Sequence, residues 1–322
     1  MCPRPRCVGQ TSRVPFQKLT STDAFVVTDL AGAPSSTGIV RRARKILPDG
    51  AKLLARTTTY SWAVLGQQRG GASAGINAED DAADAAVAAF VEELTAQVSD
   101  GSLSIDAGKG LPAGSLGALD AVDRRNGARR TAATNGTVDD ELLAAGAVAA
   151  AAAAAGPLDG LTAVVEGAGS AASALEAQLA EAGVTVTPAG EGGPLGTSAD
   201  LLFCGSKTGL VDHQAAAALP HRFVVPVGPV PVTARGLAVA HRNGVVVLPD
   251  FVTTVGPLVG WTAPEGTPAR RVAGRRPLDR DRPGRPVPRP PGEPDARRLC
   301  RCRRVPFHLA GRAPVRPPHG LT

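Results

Sequence analysis

A chain of 322 residues with 43% hydrophobic and 20% charged residues is long enough for two folded domains and too apolar for a disordered polymer. Its formal charge of +6 is uneven: from Glu265 onward there are 15 Arg, no Lys and 5 acids, which leaves 20 basic and 24 acidic residues before it, so the body of the chain is mildly acidic and calls for no polyanion partner. Five cysteines, Cys2, Cys7, Cys204, Cys300 and Cys302, form no C-x-x-C pair, which excludes a zinc ribbon and a disulfide scaffold.

Residues 1–22 contain Pro and Arg without periodicity and are expected to lie outside the fold. Arg4 and Arg6 have no apolar run behind them, so this is not a secretory signal. A first domain is expected over 23–140. Ala24-Phe-Val-Val-Thr28 and Ala51-Lys-Leu-Leu-Ala55 frame its first region, and the glycine cluster Gly70-Gly-Ala-Ser-Ala-Gly75 follows. The spacing of Ala82, Ala86, Phe90 and Leu94 predicts an amphipathic helix over 78–98, with Glu79, Asp80 and Asp81 in a first turn that favours acids. A loop over 108–117 leads to a second helix near 116–125. The alanine-rich stretch from Asp139 to Ala155 predicts a helix that Gly156-Pro157 stops. Its apolar run is shorter than the ~20 residues of a membrane span, so no membrane partner and a cytoplasmic location are expected.

A second domain is expected over 141–262. A β-branched run ends at Glu166, Gly167 and Gly169 supply a tight turn, Ser170 and Ala171 open a helix, and a second strand follows at 184–187. This is the strand, turn and helix of a G-x-G-x-x-G/A fingerprint with Ala172 in the third position. The free N–H groups and positive dipole end of the helix would face a pyrophosphate. Strands at 199–203, 223–226 and 245–248 alternate with helices over 212–219 and 233–242, which implies a doubly wound parallel sheet of Rossmann type. The cofactor-binding set is therefore Gly167, Gly169, Ser170, Ala171 and Ala172. Glu191, slightly later than the usual ~20 residues after the first glycine, is the candidate for the ribose hydroxyls of NAD. No Arg stands nearby for a 2′-phosphate, and the choice between NAD and NADP stays open. No metal ligands are identified.

Beyond Trp261 the pattern dissolves, and twelve of the 28 prolines fall after Glu265. Residues 263–322 are expected to be a disordered basic tail. It is either an arm for nucleic acid or an acidic partner, or the product of a shifted reading frame in a GC-rich gene. The abrupt break in a pattern that should continue favours the second, and nucleic acid is a partner only if the tail is genuine.

Three further segments agree in order and spacing with one family. Thr58-Thr-Tyr-Ser-Trp-Ala-Val-Leu-Gly-Gln-Gln-Arg-Gly-Gly-Ala-Ser-Ala-Gly-Ile76 resembles M-T-x-K-x-A-x-x-G-x-P-x-G-G-A-K-G-G-I, Leu111-Pro-Ala-Gly-Ser-Leu-Gly117 resembles a P-A-x-D loop, and Asn243-Gly-Val-Val-Val-Leu-Pro-Asp-Phe-Val-Thr-Thr-Val-Gly256 resembles R-G-I-x-(V/L)-x-P-D-(hydrophobic)-x-x-N-A-G-G. With the fingerprint domain second, the chain resembles the glutamate/leucine/phenylalanine/valine dehydrogenase family over roughly 38–258.

The resemblance implies an α/β fold with an N-terminal mixed α/β domain for substrate and oligomerisation, a Rossmann-type second domain, homo-oligomers, and NAD(P)-dependent oxidative deamination of an amino acid to its 2-oxo acid. It also implies two lysines and an aspartate in the site. Here Ser61, Ser73 and Ser115 stand in those three positions. Serine hydroxyls neither pair a carboxylate nor act as bases unaided. Losing one positioned acid or base costs ~10²–10⁴-fold in rate, so the reaction requires substitutes. Arg69, Lys109 and Asp106 are the candidates. The alternative is a catalytically inactive relative, acting as a nucleotide-binding regulator or as an assembly partner. His213, His221 and His241 are expected at surface or capping positions. Family members continue past the P-D run into helices that return to the cleft, whereas this chain turns to Arg and Pro, so its core is expected to be incomplete.

Overall fold

The computed structural model describes residues 15–112 and 114–273, and only the backbone of Arg270 and Ala273. The disorder expected for 1–14 and 274–322 concerns residues outside this set.

The first lobe carries β1 (Phe16–Lys18), β2 (Ala24–Thr28), β3 (Ser36–Ala43), α1 (Pro48–Val64), β4 (Gly70–Asn77), α2 (Ala83–Ser99) and β5 (Leu103–Ala107). The strand order is β1-β2-β4-β3-β5, with β3 parallel to β4 and β5, and β2 antiparallel to β1 and β4. The glycine cluster is a central strand rather than a loop, because helices cover both of its faces. Ala72, Ala74 and Ile76 share a core with Phe90 and Leu94 of α2. Gly71 points the other way, where an added Cβ would lie 1.8 Å from the Ala55 carbonyl oxygen; only glycine lets α1 lie this close to the sheet.

Two boundaries differ from expectation. Helix α2 begins at Ala83 and Ala82 is its exposed cap residue, because Glu79 and Asp80 pair with Arg44 (2.8 Å) and Arg42 (2.9 Å) at the end of β3 and hold the preceding segment out of the helix. Residues 16–18, expected outside the fold, pair with β2, and Leu19 beside them is buried.

A connecting region contains α3 (Gly117–Val122), a 3-10 turn (Gly127–Arg130), the hairpin β6 (Ala132–Ala133) with β7 (Gly136–Thr137), and α4 (Val138–Ala155). Helix α4 starts with a capping box, in which the Thr137 hydroxyl accepts from the Asp140 N–H and the Asp140 carboxylate accepts from the Thr137 N–H.

The second lobe follows with β8 (Thr162–Val165), α5 (Ser170–Glu181), β9 (Thr185–Val186), α6 (Gly193–Gly196), β10 (Leu201–Cys204), α7 (His213–Ala217), β11 (Phe223–Pro226), α8 (Ala234–Arg242) and β12 (Val246–Val247). Its five strands are all parallel in the order β9-β8-β10-β11-β12. Alanines of α4 pack with Leu175 and Leu179 of α5 on one face of the sheet, and Ala216 of α7 packs with Ala240 of α8 on the other. This is the doubly wound α/β arrangement that the alternation predicts. Strand order reverses at β8, so the crevice beside the carboxyl ends of β8 and β10 is the topological switch point.

The chain closes with α9 (Asp250–Thr253), α10 (Gly256–Trp261) and α11 (Ala269–Ala273). The fold therefore runs past Trp261. Val272 is fully buried in a cluster with Val138 and Leu142, and the Asn126 amide donates to the Pro264 (2.9 Å) and Thr267 (3.2 Å) carbonyls. Composition concealed this because one buried valine and two backbone acceptors hold an otherwise Arg- and Pro-bearing segment.

Candidate functional site

At the switch point β8 delivers Glu166 and then a turn in which Gly167 has φ 119° and Gly169 φ 96°, both in the region that favours glycine. A Cβ added at either would meet nothing within 4 Å, so space stands open above the turn. Gly169 caps α5 and no side chain accepts from the first-turn N–H groups. A cavity of about 320 Å³ opens here, lined by Gly167, Ala171, Ala172, Leu143 and Val227 among others, with no Lys or Arg. Ser170 is exposed at its edge. Open amides, a helix N-terminus of twelve residues and positive-φ glycines fit a diphosphate group. Glu191 lies exposed between β9 and α6, outside the cavity lining.

Glu166, which sequence reasoning used only to mark the end of a strand, ties the two walls of this crevice together. Its carboxylate accepts from the backbone N–H groups of Gly205 (3.0 Å) and Ser206 (3.0 Å) and from the Ser206 hydroxyl. Burial alone would raise its pKa, but these donors and the Lys207 charge outweigh burial and hold it below the ordinary glutamate value. The signal was available: an acid directly before the first glycine ends the strand at the switch point. The adjacent Cys204 thiol is pushed up to about 12 by burial and by Glu166, which leaves it an inert packing group.

In the first lobe Ser61 and Ser73 lie on the α1 side of the sheet and Ser115 on the other. Ser73 lies in β4, 2% exposed, and its hydroxyl has no partner. By alternation with Ala72 and Ala74 it faces the α1 side of the sheet. Ser61 is buried in α1, where its hydroxyl donates to the Thr57 carbonyl (3.2 Å). Ser115 lines a separate cavity of about 440 Å³ with Arg42, Leu111 and the α2 residues Asp84 and Val87, on the opposite side of the sheet. Its hydroxyl also has no partner.

Of the proposed substitutes, Asp106 alone is held in ion pairs among the described residues. The Arg69 guanidinium lies 5.3 Å from the Trp62 ring centre. Lys109 is exposed. Asp106 accepts from Arg125 (2.9 Å), Arg129 (2.9 Å) and Arg130 (2.7 Å). Burial would raise its pKa, but Arg125 and Arg129 overcome burial and hold the carboxyl far below the carboxylate range, so Asp106 stays ionised and takes no proton near neutrality.

A buried network extends from Asp106. Arg129 also donates to Asp139 at the start of α4 (3.1 Å), and Trp261 of α10 donates its indole N–H to the same Asp139 oxygen (3.2 Å). The Trp261 ring lies 4.8 Å from the Arg125 guanidinium, 5.3 Å from that of Arg129 and 6.4 Å from the Trp62 ring. The other Asp139 oxygen has no partner and faces Gly260, where an added Cβ would come within 3.2 Å of it. Burial raises the Asp139 carboxyl to about 6, against the pull of Arg129 and Trp261.

The third motif joins the lobes. The Asp250 carboxylate accepts from the Val230 N–H (2.7 Å) and from the Thr57 hydroxyl of α1 (3.4 Å), while Phe251 meets Tyr60 edge-on at 5.5 Å. Val230 adopts φ 50°, a costly conformation for a β-branched residue that this bond helps to hold. His213 and His241 are exposed on α7 and α8, as expected. His221 is not: it is 3% exposed just before β11, and burial lowers its pKa against the opposing pull of the Thr197 backbone.

Among the described residues no cluster of three His, Cys, Asp or Glu forms a metal site, and no helix is long and apolar enough to cross a membrane. No family model and no curated protein matches the sequence. Solved structures do match. A hetero-hexameric glutamate dehydrogenase from Thermus thermophilus superposes with a TM-score of 0.62 at 18% identity, over 78% of this chain and 74% of that one. Plasmodium falciparum glutamate dehydrogenase gives 0.60 at 15%, over 74% and 65%, and L-tryptophan dehydrogenase from Nostoc punctiforme gives 0.56 at 15%, over 77% and 80%. The chain has the fold of the amino-acid dehydrogenases, as its motifs predicted.

Proposed function

We propose that this chain binds NAD at the β8–α5 turn and carries no oxidative deamination, acting as a nucleotide-responsive relative of the amino-acid dehydrogenases. The observation that carries this is the contrast between an open glycine turn at the N-terminus of α5 and three serines that are separated, buried or bonded to their own helix. Gly167, Gly169, Ser170 and Ala171 would hold the diphosphate through backbone N–H groups, and Ala172 lines the cavity beside them. A bound nicotinamide would supply hydride exchange; the three family positions that would carry a base and cations for a substrate carboxylate are serines. Glu191, beyond the end of β9, and a lining without Lys or Arg favour NAD over its 2′-phosphorylated form.

Fold alone does not give function, and the site decides. Residues 23–140 would retain the substrate-side and self-association domain, and 141–262 the nucleotide domain. One of the structural relatives is a hetero-hexamer, and assembly with further copies or with an active relative is the setting in which such a chain would act. The test is calorimetric titration of the full chain with NAD+ and with NADP+. Saturable binding, tighter for NAD+, is expected, and absence of binding by either nucleotide would overturn the proposal.

A further inference from the structure

Glu166 is the one ionised side chain among the residues lining the switch-point cavity. In a doubly wound sheet the dinucleotide lies across the switch point, with its diphosphate on the first helix and its adenosine ribose toward the end of the second strand. The second strand here is β9, so the nicotinamide half falls on the other side, toward β10, where Glu166 is bonded to Gly205 and Ser206. That carboxylate is fixed rather than mobile. It also binds the wall that continues into β11: Gly205 packs so closely on Gly228 that a Cβ on Gly205 would lie 2.3 Å from the Gly228 nitrogen.

We propose that Glu166 sets the redox preference of the crevice, favouring the oxidised, cationic nicotinamide over the reduced, neutral one. This rests on the dinucleotide reading above. The two ligands differ by one positive charge at the ring and by little else in shape, so a fixed anion on the nicotinamide side discriminates between them by Coulomb energy. Two unit charges ~8–10 Å apart at an effective dielectric constant of ~20–40 interact strongly enough to change an affinity about tenfold. Lys207, exposed beside Ser206 and close enough to depress the Glu166 pKa, opposes the effect and partly screens it. Side-chain shape alone would not produce a preference that follows charge in both directions.

The experiment measures the dissociation constants of NAD+ and NADH for the full chain and for Glu166→Gln and Lys207→Ala. The ratio of the NADH constant to the NAD+ constant is expected to fall about tenfold in Glu166→Gln and to rise two- to threefold in Lys207→Ala, and in the unaltered chain to shrink as salt screens the charge. A ratio that is the same in all three proteins overturns the inference while leaving dinucleotide binding intact. Absence of binding by the unaltered chain overturns both. Lys207→Ala changes one exposed side chain and the salt series needs no substitution, so both readouts stand even where Glu166→Gln does not fold.

Discussion

The two lobes carry the same kind of architecture and opposite kinds of site. In the second lobe the features that matter belong to the main chain: two positive-φ glycines, a helix that starts without a side-chain cap, and a strand order that reverses beside them. In the first lobe they would have to be side chains, and the serines that stand in the family positions lie on two sides of one sheet, with Asp106 locked into ion pairs. A main-chain site survives sequence change as long as glycine and fold survive. A side-chain site is lost one residue at a time while the sheet beneath it stays packed.

If the charged network in the first lobe is structural rather than catalytic, its loss should appear in stability. Arg129→Ala takes the cation from the buried Asp139, while Asp106 keeps Arg125 and Arg130, and is expected to cost about 3–5 kcal/mol, read as a lower urea midpoint, with nucleotide affinity unchanged. Intact stability would instead mark Arg129 as free for a ligand. Gly169→Val sharpens the other side of the contrast. A valine at φ 96° is strained and fills the space above the turn, so NAD+ affinity should drop about a hundredfold, and the urea midpoint should fall by no more than the ~1–3 kcal/mol that the strain costs.

Asp139 gives a pH signature. Its carboxyl titrates near 6 in the folded protein and near the usual 3.8 in the unfolded chain, so the folded state takes up the proton first: stability rises as pH falls from about 7 toward 4 and is flat above 7. Asp139→Asn should remove this slope and stabilise the protein at pH 8 by on the order of 2 kcal/mol, since the amide still accepts from Trp261. A slope of the opposite sign would show that the Arg129 pair dominates the burial cost. The smallest effect belongs to Ser73→Ala. Removing a buried hydroxyl that has no partner should leave stability unchanged or raise it by up to about 1 kcal/mol, whereas a large loss would reveal a hydrogen bond that Ser73 makes on assembly or ligand binding.

Much of the fold was legible because it follows period and punctuation. The βαβ unit around Gly167, the parallel second sheet and the alanine-rich α4 were all marked by glycine turns, β-branched runs and the Gly156-Pro157 stop. The glycine cluster was not legible as a strand, because Gly70, Gly71 and Gly75 carry no β signal; Gly71 is required by α1 lying against it, and Gly70 and Gly75 by Ser36 and Phe25 of the neighbouring strands. Nor was the start of α2, where Glu79 and Asp80 read as first-turn acids but are spent on Arg44 and Arg42. The serine substitutions were visible in the sequence; their separation was not, since nothing local tells Ser115 which face of the sheet its loop will join. The Asp106–Arg129–Asp139–Trp261 network draws on β5, the 3-10 turn, α4 and α10, and no single stretch contains it.

The most direct measurement is made on one sample: the full chain titrated with NAD+ to saturation in a calorimeter and then supplied with a panel of L-amino acids while nicotinamide absorbance is followed. Saturable binding with no amino-acid-dependent reduction is the predicted result. Reduction of NAD+ by any amino acid, or the absence of nucleotide binding, would contradict it.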